Sequence, residues 1–296
     1  KNFRQQVIGD LRGVCLEEPA SGELHPTVSD LCCRFGISRQ SYYQQQSRDQ
    51  QYQQRSSELV AAVQQYRHHH PMMGCRKLLH LLSQQQRELW CPGRDVFFKL
   101  LRENGLLVNR RRRSSRTTDS KHSFNRKQNM LQQMLVTRSS QVVVSDITYI
   151  RTSAGYVYLS LVSDYYSRKI IGYDVSTSLD AEGALGAMKM AIASARLKAG
   201  TLHHSDCGVQ YCCSLYQDIL YCYKIVPSMT EKNHCYENAV AERINGILKY
   251  EYGLCSCFRN LRQVRAAVKE AIALYNNERP HSSLQYKTPA EVFDAG

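Results

Sequence analysis

Three carboxylates in this sequence sit in surroundings that would be costly for them without a cation. Asp146 interrupts the apolar run Val142-Val143-Val144-Ser145-Asp146-Ile147-Thr148-Tyr149-Ile150, and a charge in such a segment is expensive unless something positive pairs with it. Asp206 lies in His203-His204-Ser205-Asp206-Cys207-Gly208-Val209-Gln210-Tyr211, where Gly208 permits a tight turn. Glu242 belongs to a helical pattern that reaches Lys249. Brought together, three carboxylates repel and raise one another's pKa unless divalent cations neutralise them. Oxygen ligands alone favour Mg²⁺ or Mn²⁺ over zinc. Two rivals are weaker. Glu237 lies five residues before Glu242, roughly 140° around a helix, so both cannot face one site. Asp164 closes an apolar run and reads as a turn cap.

The elements that would carry these groups follow from periodicity. Residues 141–150, 156–163 and 168–175 alternate as strands, separated by Ser153-Ala154-Gly155 and Tyr165-Tyr166-Ser167. Links this short imply antiparallel neighbours. A helix is expected over 179–198, a short strand over 201–205, a helix over 215–222 and a fifth strand at 224–226, then helices at about 236–251 and 260–277. Three meandering strands followed by alternating helix and strand make an α/β fold, a mixed sheet flanked by helices. Asp146 then falls on the first strand, Asp206 at the end of the fourth and Glu242 on the helix after the fifth.

The front of the chain reads differently. Residues 26–46 divide into two helical patterns around Gly36, a helix-turn-helix signal. Thr27 or Ser29 can cap the first helix and Ser38 the second, which sets Arg39, Gln40 and Ser41 at the end where a recognition helix meets base edges. Residues 44–56 are Gln-rich, suited to a solvated helix or a linker. Helical runs at 59–67, 76–82 and 95–103, broken by Pro71 and Gly74 and ended by Gly105, form a second all-α unit. Arg110, Arg111, Arg112, Arg113 and Arg116 are too dense for an interior and read as a flexible arm that neutralises phosphates. The expected organisation is a helix-turn-helix module over 1–54, a second helical DNA-binding module over 55–108, a basic linker arm over 109–137 and a catalytic core with C-terminal helices over 138–296.

Charge follows this division. The net charge is +13, but residues 1–128 hold 22 Lys and Arg against 11 Asp and Glu, whereas residues 129–296 hold 17 against 15. A basic front before a near-neutral, carboxylate-keeping half suits a polyanionic partner held by one part and acted on by another. The twelve cysteines contain no Cys-x-x-Cys pair, so they read as reduced small residues rather than disulfides or a zinc site. No stretch approaches the roughly 18 apolar residues of a membrane span, and the N-terminal residues lack a signal-peptide core.

At this point four ordered blocks resemble a known family. Ser145-Asp146-Ile147-Thr148-Tyr149-Ile150, the segment from His204 to Tyr211, Glu237-Asn238-Ala239-Val240-Ala241-Glu242, and Tyr275-Asn276 with Arg279-Pro280-His281 resemble the integrase-core transposases encoded by the second reading frame of bacterial insertion sequences. The 35 residues between Asp206 and Glu242 are the spacing that family shows, which favours Glu242 over Glu237. Met73-Gly74-Cys75-Arg76-Lys77-Leu78 and Arg102-Glu103-Asn104-Gly105-Leu106 extend the likeness into the front half. The resemblance implies a ribonuclease H-like core shared with retroviral integrases and two Mg²⁺ or Mn²⁺ ions, bridged by Asp146, with Asp206 on one and Glu242 on the other. It implies double-stranded DNA, both element ends and target, as the substrate of cleavage and strand transfer, with Lys249 on a phosphate. It also implies a homo-oligomer on DNA, a possible fusion or complex with an upstream helix-turn-helix protein, and a bacterial, cytoplasmic, nucleoid-associated setting. His203 and His204 read as structural or DNA-contacting rather than catalytic. Val143, Cys207 and Cys75 depart from the family pattern; a basic residue is common at Cys207, so its loss is expected to weaken a DNA contact and not the metal site. A non-catalytic DNA-binding regulator or domesticated transposase, and a ribonuclease H-like nuclease, are the competing readings.

Overall fold

The computed structural model describes residues 7, 27–85, 89–108, 127–230 and 238–296. Helix α1 (Val28–Phe35) opens on a capping box in which Thr27 Oγ1 accepts the Asp30 N–H and Asp30 accepts the Thr27 N–H, satisfying two otherwise orphaned donors. Gly36 ends α1 at φ +65°, a conformation that favours glycine. Ser38 then caps α2 (Arg39–His69) through the Ser41 N–H. No Gly or Pro stands between Ser38 and Pro71, so nothing breaks α2 for 31 residues. The boundary expected between 54 and 55 therefore falls inside one continuous helix, and the Gln-rich stretch is its exposed middle. One end of α2 buries Tyr42 against Leu31 and Cys32. The other buries Leu59, Ala62 and Val63 against α3 (Cys75–Gln85) and α4 (Arg94–Glu103) through Leu78, Leu82, Phe97 and Leu101.

The arm expected over 109–137 is described only from residue 127, where it is anchored to the sheet at one point and otherwise mostly exposed. Asn129 is buried, the Met130 N–H donates to Ser228 Oγ at 3.0 Å, and a 3₁₀ turn spans Leu131–Gln133.

Five strands form one sheet: β1 (Val142–Thr152), β2 (Gly155–Asp164), β3 (Ile170–Ser176), β4 (Leu202–Ser205) and β5 (Val226–Met229), in the order β3-β2-β1-β4-β5. The first three pair antiparallel, and β4 and β5 join them in parallel. The fifth strand, expected at 224–226, runs from Val226 to Met229 instead. Lys224 is held at φ +53° in the turn before it, and pairing starts only where Val226 meets Leu202.

The two sheet faces are covered differently. Ile150, Val157, Leu159, Leu161 and Val175 pack against α8 (Ala239–Glu251) and α9 (Leu261–Asn277) through Ile244, Ile247, Leu248, Val264 and Tyr275. Val143, Val162 and Ile171 face α5 (Ala181–Ala195), α6 (Val209–Cys212) and α7 (Ser214–Cys222). A Cβ at Gly172 would collide with the Ala187 carbonyl, so the missing side chain is what lets α5 lie on β3. Helix α10 (Pro289–Ala295) closes the chain under a second capping box, Thr288 with Glu291. Strand β4 pairs with β1 only over Val142–Val144. Beyond that point, among the described residues, no strand pairs with β1 on that side until Phe258 bridges Thr152, and the gap lies at the carboxyl ends of two parallel strands, where ligands enter sheets of this kind.

Candidate active site

That opening is where the carboxylates gather. Asp146 sits two residues past the last β1–β4 pair, with Oδ1 accepting the Ile147 N–H at 2.9 Å and Oδ2 accepting from Asn245 Nδ2 at 2.7 Å. Asp206 follows β4 directly, and its Oδ1 accepts the Gly208 N–H at 3.1 Å. A Cβ at Gly208 would stand 3.0 Å from that oxygen, so glycine lets the carboxylate fold back over its own turn. Glu242 lies in the first turn of α8, exposed, where the helix dipole favours a negative charge. The N-terminus of α8 is tied to β1 beside Asp146, because Asn238 Nδ2 donates to the Ser145 carbonyl at 3.1 Å.

Their electrostatics show that the three share one field. Burial, and then the Asp206 charge, push the Asp146 carboxyl up to about 7, Glu242 adding to the rise while hydrogen bonds from Asn245 and Ile147 oppose it. Burial also pushes the Tyr211 hydroxyl well up, with Tyr216, Asp206 and Asp146 contributing in turn. The Lys249 ammonium lies 4.4 Å from the centre of the Tyr149 ring. Burial lowers its pKa while Tyr149 and Asp146 hold it up, so it stands in the same field. Among the described residues no group of three or more His, Cys, Asp or Glu side chains stands close enough to hold a metal ion. The donor chemistry nonetheless fits a hard divalent cation: oxygens only, and mutual repulsion that such a charge would relieve.

Other residues singled out in the sequence fall elsewhere. Arg39, Gln40 and Ser41 are exposed on the first turn of α2. Arg110, Arg111, Arg112, Arg113, Arg116 and Glu237 lie outside the described residues. His203 is buried, its Nε2 within 2.8 Å of Ser145 Oγ and 3.0 Å of the Tyr216 hydroxyl, and burial with the neighbouring His204 lowers it to about 3. His204 Nδ1 lies 2.9 Å from Ser228 Oγ. Both rings brace β4 from within the wall. Asp164 is fully buried and accepts from the Ser140 and Ser167 N–H groups and the Ser167 hydroxyl, so it caps its turn.

Cys207 requires a correction. It does not stand where a DNA-facing cation would; it is buried among Tyr211, Tyr216 and Met229, with Sγ donating to the Thr230 carbonyl. The turn at Gly208 points residue 207 inward, where a small thiol fits. The ten described cysteines are all free.

Asn245, Asn238 and Tyr211 carry parts of the site that the sequence reading left without a role. Asn245 had a signal, since three residues after Glu242 puts it on the same helix face. Asn238 had none short of knowing that α8 crosses β1.

Two comparisons bear on kinship. Residues 136–235 and 223–289 match the integrase core domain family. An insertion element IS600 31 kDa protein of Shigella sonnei is 36% identical over 200 residues, 67% of this chain and 74% of that protein. The transposase of insertion sequence IS629, also from Shigella sonnei, is 32% identical over 200 residues, 68% of this chain and 67% of its own length. Among solved structures, the HTLV-2 integrase catalytic core domain in complex with magnesium aligns at 16% identity and a TM-score of 0.42, covering 53% of this chain and 97% of that one. The mixed five-stranded sheet lies between helical layers, the α/β arrangement expected for the core. The chain belongs to the DDE-type transposases of bacterial insertion sequences, enzymes that act on DNA.

Proposed function

We propose that Asp146, Asp206 and Glu242 are the catalytic carboxylates of this transposase and that together they bind two Mg²⁺ or Mn²⁺ ions. The observation that carries this reading is the field at Asp146: a carboxyl on a central strand, raised to about 7 by burial and by the other two acids, is poorly placed to be an anion until a divalent cation joins it. Bound there, two such ions supply a strong nucleophile at neutral pH and neutralise charge on the leaving oxygen.

The chain's own groups do the positioning. Asn245 orients one Asp146 oxygen and the Ile147 N–H the other. Gly208 fixes Asp206 at the end of β4. The Asn238 bond to β1 sets the height of Glu242. Lys249, steadied on the Tyr149 ring, contacts a phosphate of the bound strand. Arg39, Gln40 and Ser41, exposed at the start of α2, read base edges in the element's terminal inverted repeats, and the arginines from 110 to 116 neutralise phosphates. Synapsis of two ends calls for a homo-oligomer on DNA, alone or joined to an upstream helix-turn-helix protein, in the bacterial nucleoid.

Replacing Asp146 with Asn tests the assignment on labelled DNA that carries an element end, with Mg²⁺ present. Retained DNA binding with loss of both the cleaved and the joined product is expected. Unchanged cleavage and joining would remove Asp146 from the mechanism. Cleavage without any joined product in the unaltered protein would favour a ribonuclease H-like nuclease instead.

A further inference from the structure

Two motifs remain without a task, Arg76-Lys77 in α3 and Arg279-Pro280-His281 after α9, and the fold brings them together. Arg279 is 1% exposed, and its Nε and Nη2 donate to the two Glu251 carboxylate oxygens at 2.7 and 2.8 Å. Its Nη1 lies 2.9 Å from His281 Nε2. From the front module, Lys77 Nζ comes within 3.9 Å of the same Glu251. Nearby, His70 lies 3.2 Å from both the Tyr252 hydroxyl and Glu278 Oε2, and the His80 ring stacks on Tyr286 at 4.4 Å. The apolar core of the front module and that of the sheet are separate clusters, so these polar and aromatic contacts mark the seam between the two halves.

Glu251 is the last residue of α8, whose first turn carries Glu242, whose middle carries Asn245 and whose last turn carries Lys249. We infer that Lys77, through Glu251 and Arg279, is a positioning residue: it locks the DNA-binding half to the far end of the helix that presents Glu242, and so sets the reach from bound DNA to the carboxylates. The inference rests on the role proposed for Glu242. A helix of 13 residues is about 20 Å long, so a tilt of roughly 3° moves one end by about 1 Å, enough to cost on the order of a hundredfold in rate.

Stability alone does not account for Lys77. Burial holds its amine down to about 8 despite Glu251, and Glu251 already has both oxygens satisfied by Arg279. Removing Lys77 leaves the buried pair intact, and an apolar residue of similar length is commonly tolerated at such positions.

The test is Lys77→Met, with Lys77→Arg as the conservative control. Spectroscopic labels at the exposed Lys99 on α4 and Tyr221 on α7, introduced without cysteine chemistry, report the distance between the halves. One narrow distance distribution is expected in the unaltered protein and in Lys77→Arg, and a broadened one in Lys77→Met with an unchanged melting temperature. On element-end DNA, Lys77→Met should cut about tenfold more slowly and at scattered neighbouring phosphates, with end affinity within about twofold. A narrow, unshifted distribution in Lys77→Met would overturn the inference, as would unchanged rate and cut position, or an affinity loss that matches the rate loss. If the unaltered protein neither cuts nor joins, the proposed function fails, while the distance measurement still judges the seam.

Discussion

The two halves of this protein hold their polar groups in opposite ways. In the front half, α2 leaves most of residues 43–55 exposed between two small apolar clusters, and Arg39, Gln40 and Ser41 stand on the surface. In the sheet half, Asp146 is bonded from Asn245 and lies in the field of Asp206 and Glu242. A surface group has its meaning set by whatever binds it, whereas an anion beside a packed strand must be explained by the molecule itself. The contrast teaches that the same charge content serves reach in one half and chemistry in the other.

Four measurements break or sharpen that contrast. Asp146→Asn should lower cleavage and joining by on the order of a thousandfold or more while end binding holds; a parallel fall in binding would mean that the halves are not separable. Deleting residues 109–116, which lie outside the described structure, removes five arginines. It should reduce the slope of log affinity against log salt by about 4 to 5, a few hundredfold in affinity over a fourfold salt range, and leave Mn²⁺ binding alone; an unchanged slope would end the basic-arm reading. Asn245→Ala should weaken Mn²⁺ binding in a direct titration by about 10- to 100-fold, as loss of an orienting partner does, with no effect on DNA affinity.

The smallest effect is on stability. His203 and His281 are buried and held down to about 3 and about 2, burial being the first cause in each. Below pH 6.5 the unfolded chain takes up protons that the folded chain refuses, so stability is full above that pH and falls as pH drops toward those values. At about pH 5 each ring should cost about 2 kcal/mol. Denaturant unfolding of His203→Gln between roughly pH 7 and pH 5 should show a shallower loss than the unaltered protein; an equal loss would mean that His203 is not the buried neutral ring described.

Much of the site was legible because its signals are local. An aspartate among valines, a glycine two residues after another aspartate, and a helical pattern around Glu242 each restrict the backbone nearby, and the antiparallel pairing of the first three strands follows from their short links. Where reading failed, the cause was non-local. Cys207 was read as a cation lost from a DNA contact, but it is buried, with Sγ donating to the Thr230 carbonyl.

The sequence by itself determined where the first four strands lie, which carboxylates are costly and where positive charge accumulates, because propensity, periodicity and charge act over a few residues. Only the tertiary structure decided that Asn245 serves Asp146, that Asn238 holds α8 to β1, and that Lys77 meets Glu251 across 174 positions. Those pairings depend on how two helices cross a sheet and dock on one another, and no spacing along the chain encodes that geometry.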